Sequence, residues 1–479
     1  MGLTTLHSRF SDGGFYQFWL VVFALLCLTL LCVERYVTGK GKDKSKESAD
    51  DRLESARPAC SGSALGVLAK KYLVVYAIVM AADWLQGPYI YSLYREQYGF
   101  PERMVALFFV TGFVSGGMAA PLVGAWADQH GRKKLCLAFC LSYISTCVLS
   151  LFPVLPVLLV GRLCGGISGS ILYSAFESWL ISSASSVGLS NGDLSTILGR
   201  ATLVNGFVAT GAGVFSNKLV ATTHNFASPM VASGCLLVVG FLVIRATWSE
   251  NYGTLDGSPT KDLWQTKRLS HAWKIAYNDP MLLTLGLMQT CFEGSMYLFV
   301  FVWVPSLQEA THSPDALPLG YIFSSFMVSI MIGSIFYNLI ATYTKRNEVD
   351  SSLTTHAKLS SLVCALSSLA FAACVSSKSE QVRFFAFCAF EACVGVYYPA
   401  QGMLRGTLIS NEHRATLSSL FRVPLNIFVV ISLMTGVSSA RQAVLSACAI
   451  ILGFSSLMAG FYLVGKSEEV AVGNGAARP

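Results

Sequence analysis

Charge is scarce in this chain. Only 13% of its 479 residues are Asp, Glu, Lys or Arg, while 53% are apolar; a soluble domain carries about a quarter charged residues. With a mean hydropathy of +0.55, that deficit excludes an ordinary soluble protein and places the chain in a membrane. A disulfide framework is missing too. Of 14 cysteines, 13 lie in apolar segments and only Cys60 sits in a polar stretch, so they read as small packing residues. No Asn-x-Ser/Thr acceptor occurs, which removes glycosylation as a mark of sidedness. Gly-rich nucleotide loops, His-x-x-x-His pairs and nucleophile elbows are absent, and the seven histidines lie in or near polar stretches. Neither an enzyme nor a bound cofactor or metal is expected.

What is present is a series of apolar runs. A helix needs about 20 residues to cross the hydrocarbon layer, and runs of that length occur near 15–33, 68–94, 104–127, 135–152, 155–182, 195–221, 227–247, 281–305, 318–343, 356–376, 380–405, 417–438 and 440–464. Backbone groups in lipid must be paired within the segment, so these runs predict helices. Polar stretches 34–67 and 248–280 interrupt them and read as linkers. The resulting plan is an N-terminal signal-anchor helix (1–33), a basic linker (34–67), a six-helix half (68–247), a central loop (248–280), a second six-helix half (281–465) and a tail (466–479). Two similar halves are the plan of a secondary transporter. Residues 15–33 form too long an apolar run for a signal peptide, and Cys32-Val33-Glu34 offers no small-x-small cleavage site, so the first helix is expected to be retained.

The net charge of +7 is explained by topology. With 34–67 on the cytoplasmic side, 24 Lys and Arg fall on that face or the C-terminal tail, seven on the other, and Arg162, Arg200 and Arg422 inside helices. Cytoplasmic flanks are enriched in Lys and Arg, so the N-terminus is expected outside and the C-terminus in the cytoplasm, most simply in the plasma membrane. No nucleic-acid partner is needed; lipids are the expected surroundings.

The stretch Gly124-Ala-Trp-Ala-Asp128-Gln-His-Gly131-Arg132-Lys133-Lys134 resembles the loop signature of the major facilitator superfamily, Gly-x-x-x-Asp-x-x-Gly-Arg-Lys/Arg. The resemblance implies a cytoplasmic gate: Asp128 meets a partner helix terminus, and Arg132 and Lys133 pair across an interface. Gln129 replaces the family's usual Arg, which weakens one ion pair. A short basic turn would account for the Lys and Arg but not for Gly124, Asp128 and Gly131 together.

Charges inside the runs mark candidate sites, since they are costly in lipid and usually face a cavity or a partner. In 155–182, Gly161, Gly165 and Gly169 form a small-residue packing stripe. On an ideal helix, Arg162, Tyr173 and Glu177 share one face, with the arginine and the acid about 22 Å apart. Asp83 and Glu293 occupy equivalent runs of the two halves. Asp83 has Gln86 nearby, with Tyr76 and Tyr94 on its stripe and Pro88 as an expected kink; Glu293 has Gln289 and Tyr297 at i−4 and i+4. Desolvation penalises a charged carboxylate, so Asp83, Glu293 and Glu391 fit proton acceptors; the alternative is a structural carboxylate bonded to Arg or Tyr. Aligning 155–182 and 380–405 by depth pairs Arg162 with Glu391 and Glu177 with Arg405, Glu177 and Arg405 being the gating pair. Arg422 precedes Asn426 by one turn, with Pro424 freeing a carbonyl between them. This suits an oxyanion seat; interfacial snorkelling is the alternative, more so for Arg200 than for Arg422.

Several blocks narrow the resemblance. Ala82-Asp83-Trp84-Leu85-Gln86-Gly87-Pro88-Tyr89, Val160-Gly161-Arg162, Ser174-Ala175-Phe176-Glu177-Ser178-Trp179, Glu250-Asn251-Tyr252, Ile322-Phe323-Ser324-Ser325-Phe326-Met327, Tyr397-Tyr398-Pro399 and Phe421-Arg422-Val423-Pro424-Leu425 resemble the molybdate-anion transporter family, from about residue 68 to 465. The resemblance implies an all-α major-facilitator-type fold with an extra N-terminal helix and uptake of molybdate, a tetrahedral dianion, by alternating access; a coupling proton is the expectation raised by the buried acids and by the cost of moving a dianion into a negative interior. Arg162, Arg422, Asn426, Gln86, Tyr173, Gln289 and Tyr297 are the candidate substrate ligands. The 34–67 linker has no counterpart in the family, and Gln401-Gly402 stands where a Ser-rich segment is expected. Transport of another anion or an organic solute, or a non-transporting receptor, are the alternatives.

Overall fold

The computed structural model describes residues 12–45, 59–252, 274, 277–311, 316–347, 351–409, 414–435 and 440–468. Among them there is no strand. The long helices are α1 (Asp12–Ser45), α2 (Ala59–Gln86), α3 (Glu102–His130), α4 (Arg132–Leu149), α5 (Leu155–Leu172), α6 (Ala175–Ser186), α7 (Asn191–Thr223), α8 (Ser228–Thr247), α9 (Pro280–Ala310), α10 (Leu319–Asn347), α11 (Ser352–Ser376), α12 (Glu380–Leu408), α13 (Arg414–Thr435) and α14 (Arg441–Met458). Every expected run holds a helix. Among the described residues, eleven spans are long and apolar enough to cross a membrane. The stretch from α4 falls short because it opens on Arg132, Lys133 and Lys134, and that from α13 because only Phe421–Thr435 is apolar enough.

Four boundaries differ from expectation. Pro88 does not kink a continuous helix: α2 stops at Gln86, residues 87–89 turn, and the chain resumes as a helical turn and a π-helical turn over Leu93–Gln97. The run 155–182 is likewise broken at Tyr173 and Ser174, so an ideal-helix angle between Arg162 and Glu177 does not hold across it. The expected linker 34–67 is helical at both ends, because α1 continues to Ser45 and α2 begins at Ala59. Lys40, Lys42 and Lys44 fall within the last turns of α1. Residues 46–58, 253–273 of the central loop and 469–479 of the tail lie outside the described residues.

The chain forms two compact units. One comprises Lys42–Trp264 with Leu319–Ser324, the other Met1–Gly41, Gln265–Pro318 and Ser325–Pro479. In the first, α2 packs on α7 and α8, α4 on α5 and α8, and α3 on α5, around Tyr72, Phe139, Phe176, Trp179 and Trp248. Gly161 and Gly165 lie against Leu149 and Thr146 of α4, as the stripe predicted, but Gly169 faces nothing within 4 Å. The tightest crossing uses Gly166 instead, pressed on Gly112 and Ser115 of α3.

In the second unit α11 packs on α12 and α14, and α9 on α12, α13 and α14. Here too glycines set a crossing: Gly333 of α10 meets Ala392, and Gly395 of α12 meets Ile330. The extra helix α1 belongs to this unit. Trp19 packs edge-on against Phe385 at 4.8 Å and Tyr16 against Phe384 at 5.1 Å. The Tyr16 hydroxyl donates to Glu380, and farther along Asn338 donates to Glu34 at 2.8 Å. Along α1, Val21, Leu25 and Leu28 remain exposed, an apolar surface suited to lipid.

Candidate substrate and gating sites

Asp83 lies near the end of α2 and accepts a 2.6 Å hydrogen bond from Tyr143 of α4. Close by in sequence, Gln86 is buried and donates to Ser233 of α8 at 2.9 Å, which in turn donates to the Ala82 carbonyl at 2.6 Å. Gln86 therefore spends a donor tying α2 to α8, a structural role that tells against the expected ligand role. Arg162 donates through Nε to the Tyr94 hydroxyl at 3.0 Å, its guanidinium carbon 5.3 Å from that ring's centroid. The turn at 87–89 makes this contact possible by redirecting the chain that carries Tyr94. Tyr173, at the break after α5, is 68% exposed. Glu177 sits in the first turn of α6, exposed, where a negative charge is favoured by the helix dipole.

The gate motif is built around an acid that the loop signature does not contain. Gly131 separates α3 from α4 with φ 102°, a conformation suited to glycine, and an added Cβ would lie 2.6 Å from the Glu250 carboxyl. Glu250 accepts from the backbone N–H groups of Lys133 (2.8 Å) and Lys134 (3.2 Å), capping α4 at the positive end of its dipole. Arg132 N–H donates to the Asn251 carbonyl at 3.0 Å, and Asn251 Nδ2 donates to the Trp179 carbonyl and to Ser183. Lys133 Nζ donates to the Arg245 and Trp248 carbonyls at 3.1 and 2.7 Å, so these bonds run to the end of α8 within its own unit. Trp248 stacks on Trp179 at 3.7 Å. The Asp128 side chain lies outside the described residues, and Gly124 is placed only as part of α3. The Glu250-Asn251-Tyr252 block flagged this segment, but nothing local in the sequence tells that Glu250 folds back across more than a hundred residues.

One consequence is measurable. Gly131→Ala is expected to melt several degrees below wild type in detergent, combining a left-handed backbone with the Glu250 clash. Gly169→Ala, with open space around its Cβ, is expected to be neutral or slightly stabilising. Equal melting temperatures for both variants would refute the fit.

In the second unit Glu293 is buried on α9. Its Oε1 accepts from Arg405 Nη2 of α12 at 3.1 Å and its Oε2 from Gln289 Nε2 at 3.3 Å. Depth alignment pairs Arg405 with Glu177; its ion-pair partner is Glu293, because α9 and α12 pack together. Glu391, on the same helix as Arg405, is buried and has no hydrogen bond or ion pair among the described residues. Gly286 and Gly294 of α9 make room for Phe421 and Phe428 of α13, a close approach that brings α13 against α9. Tyr297 lies within electrostatic range of both Glu293 and Arg422. Arg422 itself is exposed and has no carboxylate partner among the described residues. A guanidinium left with its donors free beside a phenol is an arrangement that receives an anion.

Residues 50–392 match the model of a family described as sugar transporters, 12 TM. A protein named molybdate-anion transporter from Takifugu rubripes is 30% identical, covering 86% of this chain and 86% of that protein; its namesake from Xenopus tropicalis is 30% identical, covering 88% and 93%. Among solved structures the nucleoside transporter NupG superposes with a TM-score of 0.65 at 11% identity over 83% of this chain and 99% of that one. An auto-inhibited POT family peptide transporter gives 0.64 at 11% identity, over 82% and 96%. The two solved structures support the major-facilitator fold, and the two long alignments carry the closer relationship. This multi-pass membrane transporter belongs to the molybdate-anion transporter family.

Proposed function

We propose that the protein takes up molybdate, or a related tetrahedral oxyanion, across the plasma membrane by alternating access of its two six-helix halves, 68–247 and 281–465. The observation that carries the reading is Arg422, a fixed positive charge with no carboxylate partner among the described residues, within electrostatic range of Tyr297 and one turn before Asn426. Arg162, held by Tyr94, is the candidate anion-binding cation of the other unit, taken by itself. Tyr173 lies just beyond the helix that carries Arg162, and Gln289 orients Glu293. Arg132, Lys133 and Glu177 belong to the cytoplasmic gate, with the N-terminus outside and the C-terminus inside.

Moving a dianion into a negative interior works against about 2.3 kcal/mol per charge per 100 mV, so uptake needs compensating cations. Asp83, Glu293 and Glu391 are the carboxylates placed to carry protons. In proteoliposomes, molybdate uptake is expected to saturate, to be competed by tungstate and more weakly by sulfate, and to rise when the outer solution is acidified. Uptake no greater than in empty liposomes would sink the assignment, and uptake insensitive to the proton gradient would remove the proton while keeping the anion.

A further inference from the structure

A row of buried polar atoms on α12 extends beyond the Glu293–Arg405 pair. The Tyr397 hydroxyl, both polar atoms of the Gln401 amide and Arg405 Nε are buried without a hydrogen-bond partner among the described residues, as is Gln289 Oε1 on α9. Tyr397 is 0% and Gln401 1% exposed. Buried polar groups are almost always paired, and a cluster of exceptions marks a place where something else is bound. The three α12 residues stand at i, i+4 and i+8, within about 80° of arc on one helix face. That face meets α9: Tyr397 stacks on Phe292 at 3.8 Å, and Arg405 reaches Glu293 at 3.1 Å.

Glu293 shows what chemistry the row accepts. Its carboxylate is itself an oxyanion, one oxygen held by Arg405 and the other by Gln289, while the donors of Tyr397 and Gln401 and Arg405 Nε remain unspent. We propose that Tyr397, Gln401 and Arg405 form a subsite for a tetrahedral oxyanion, with Glu293 as the internal anion that substrate displaces from Arg405, and that Gln401 sets which oxyanion is accepted. The inference rests on the oxyanion-transport reading and adds three ligands to it. A buried amide that bonds a substrate oxygen rejects ligands that cannot satisfy it, because its own polar atoms are then left unpaired.

Gln401→Leu separates binding from packing. Removing an unpaired buried amide should leave the melting temperature equal or higher, whereas the loss of a hydrogen bond to an anion should raise the molybdate KM about tenfold and shrink the melting-temperature rise that molybdate gives the purified wild type. A Gln401→Leu protein with unchanged KM and unchanged molybdate-induced stabilisation overturns the subsite. Should that variant fail to fold, Tyr397→Phe keeps the ring stack and removes only the hydroxyl; it is expected to raise KM similarly, and an unchanged KM overturns the subsite equally. Wild type that neither transports nor is stabilised by molybdate, tungstate or sulfate defeats the oxyanion reading itself. A neutral hexose that competes with molybdate in wild type and loses that competition in Gln401→Leu would assign the row to sugar hydroxyls and overturn the proposal.

Discussion

Arg422→Ala is expected to reduce molybdate uptake by roughly 150-fold at low substrate, with unchanged amounts of protein at the membrane. The estimate is about 3 kcal/mol, the lower part of the range for removing one partner of a desolvated charge pair. Arg422→Lys keeps the charge but loses the planar fork that holds two oxygens at once, so it should fall between the two, with the greater part of its defect in KM. Both variants should fold normally, because Arg422 makes no ion pair among the described residues whose loss would strand a buried acid. Transport by Arg422→Ala within a factor of three of wild type would move the anion seat away from the α9–α13 seam. Arg200, exposed near the start of α7, provides the matched control: a snorkelling arginine replaced by Gln should alter uptake little.

The Glu293–Arg405 pair gives the opposite pattern, a large effect on stability. Arg405→Ala leaves the Glu293 carboxylate buried without its cation, which typically costs about 3–5 kcal/mol, a substantial part of the roughly 5–15 kcal/mol that keeps a domain folded. Poor yield and a melting temperature well below wild type are expected. Glu293→Gln combined with Arg405→Ala removes both charges, and should recover much of the lost stability without recovering transport. This is the diagnostic comparison, since a pair that merely decorates the surface would show neither the loss nor the recovery. If Arg405→Ala alone melts with wild type, Glu293 finds another cation or is already neutral, and the internal-anion role of the carboxylate falls with it.

Much of this architecture can be read from residue order, because it depends on local pattern. The thirteen apolar runs became helices since each is long enough to pair its own backbone, and the Gly131 turn followed from a short motif with a glycine where φ is positive. The breaks at 87–89 and 173–174 were less legible. Pro88 signals an interruption but not whether it bends or severs the helix, and Tyr173-Ser174 carries no breaker at all. Long-range partners were least legible: Glu250 capping α4, Gln86 bonded to Ser233, and Arg405 paired with Glu293 rather than matched to Glu177. Depth alignment treats a helix as a ruler, whereas partner choice depends on which face meets which neighbour. The docking of α1 through Tyr16 and Trp19 onto Phe384 and Phe385 is of the same kind, visible in sequence only as an aromatic-rich apolar run.

The parallel indoles of Trp179 and Trp248, 3.7 Å apart with an interplanar angle of 10°, form a coupled chromophore beside the α3–α4 turn. Two transitions at that separation mix, and the resulting exciton signal in circular dichroism changes sign or vanishes with small changes of angle. Trp248 also carries a carbonyl that accepts from Lys133, and Trp179 one that accepts from Asn251. Motion of the α3–α4 turn therefore pulls on the pair directly. The protein contains its own optical reporter of that turn's position, readable without a label.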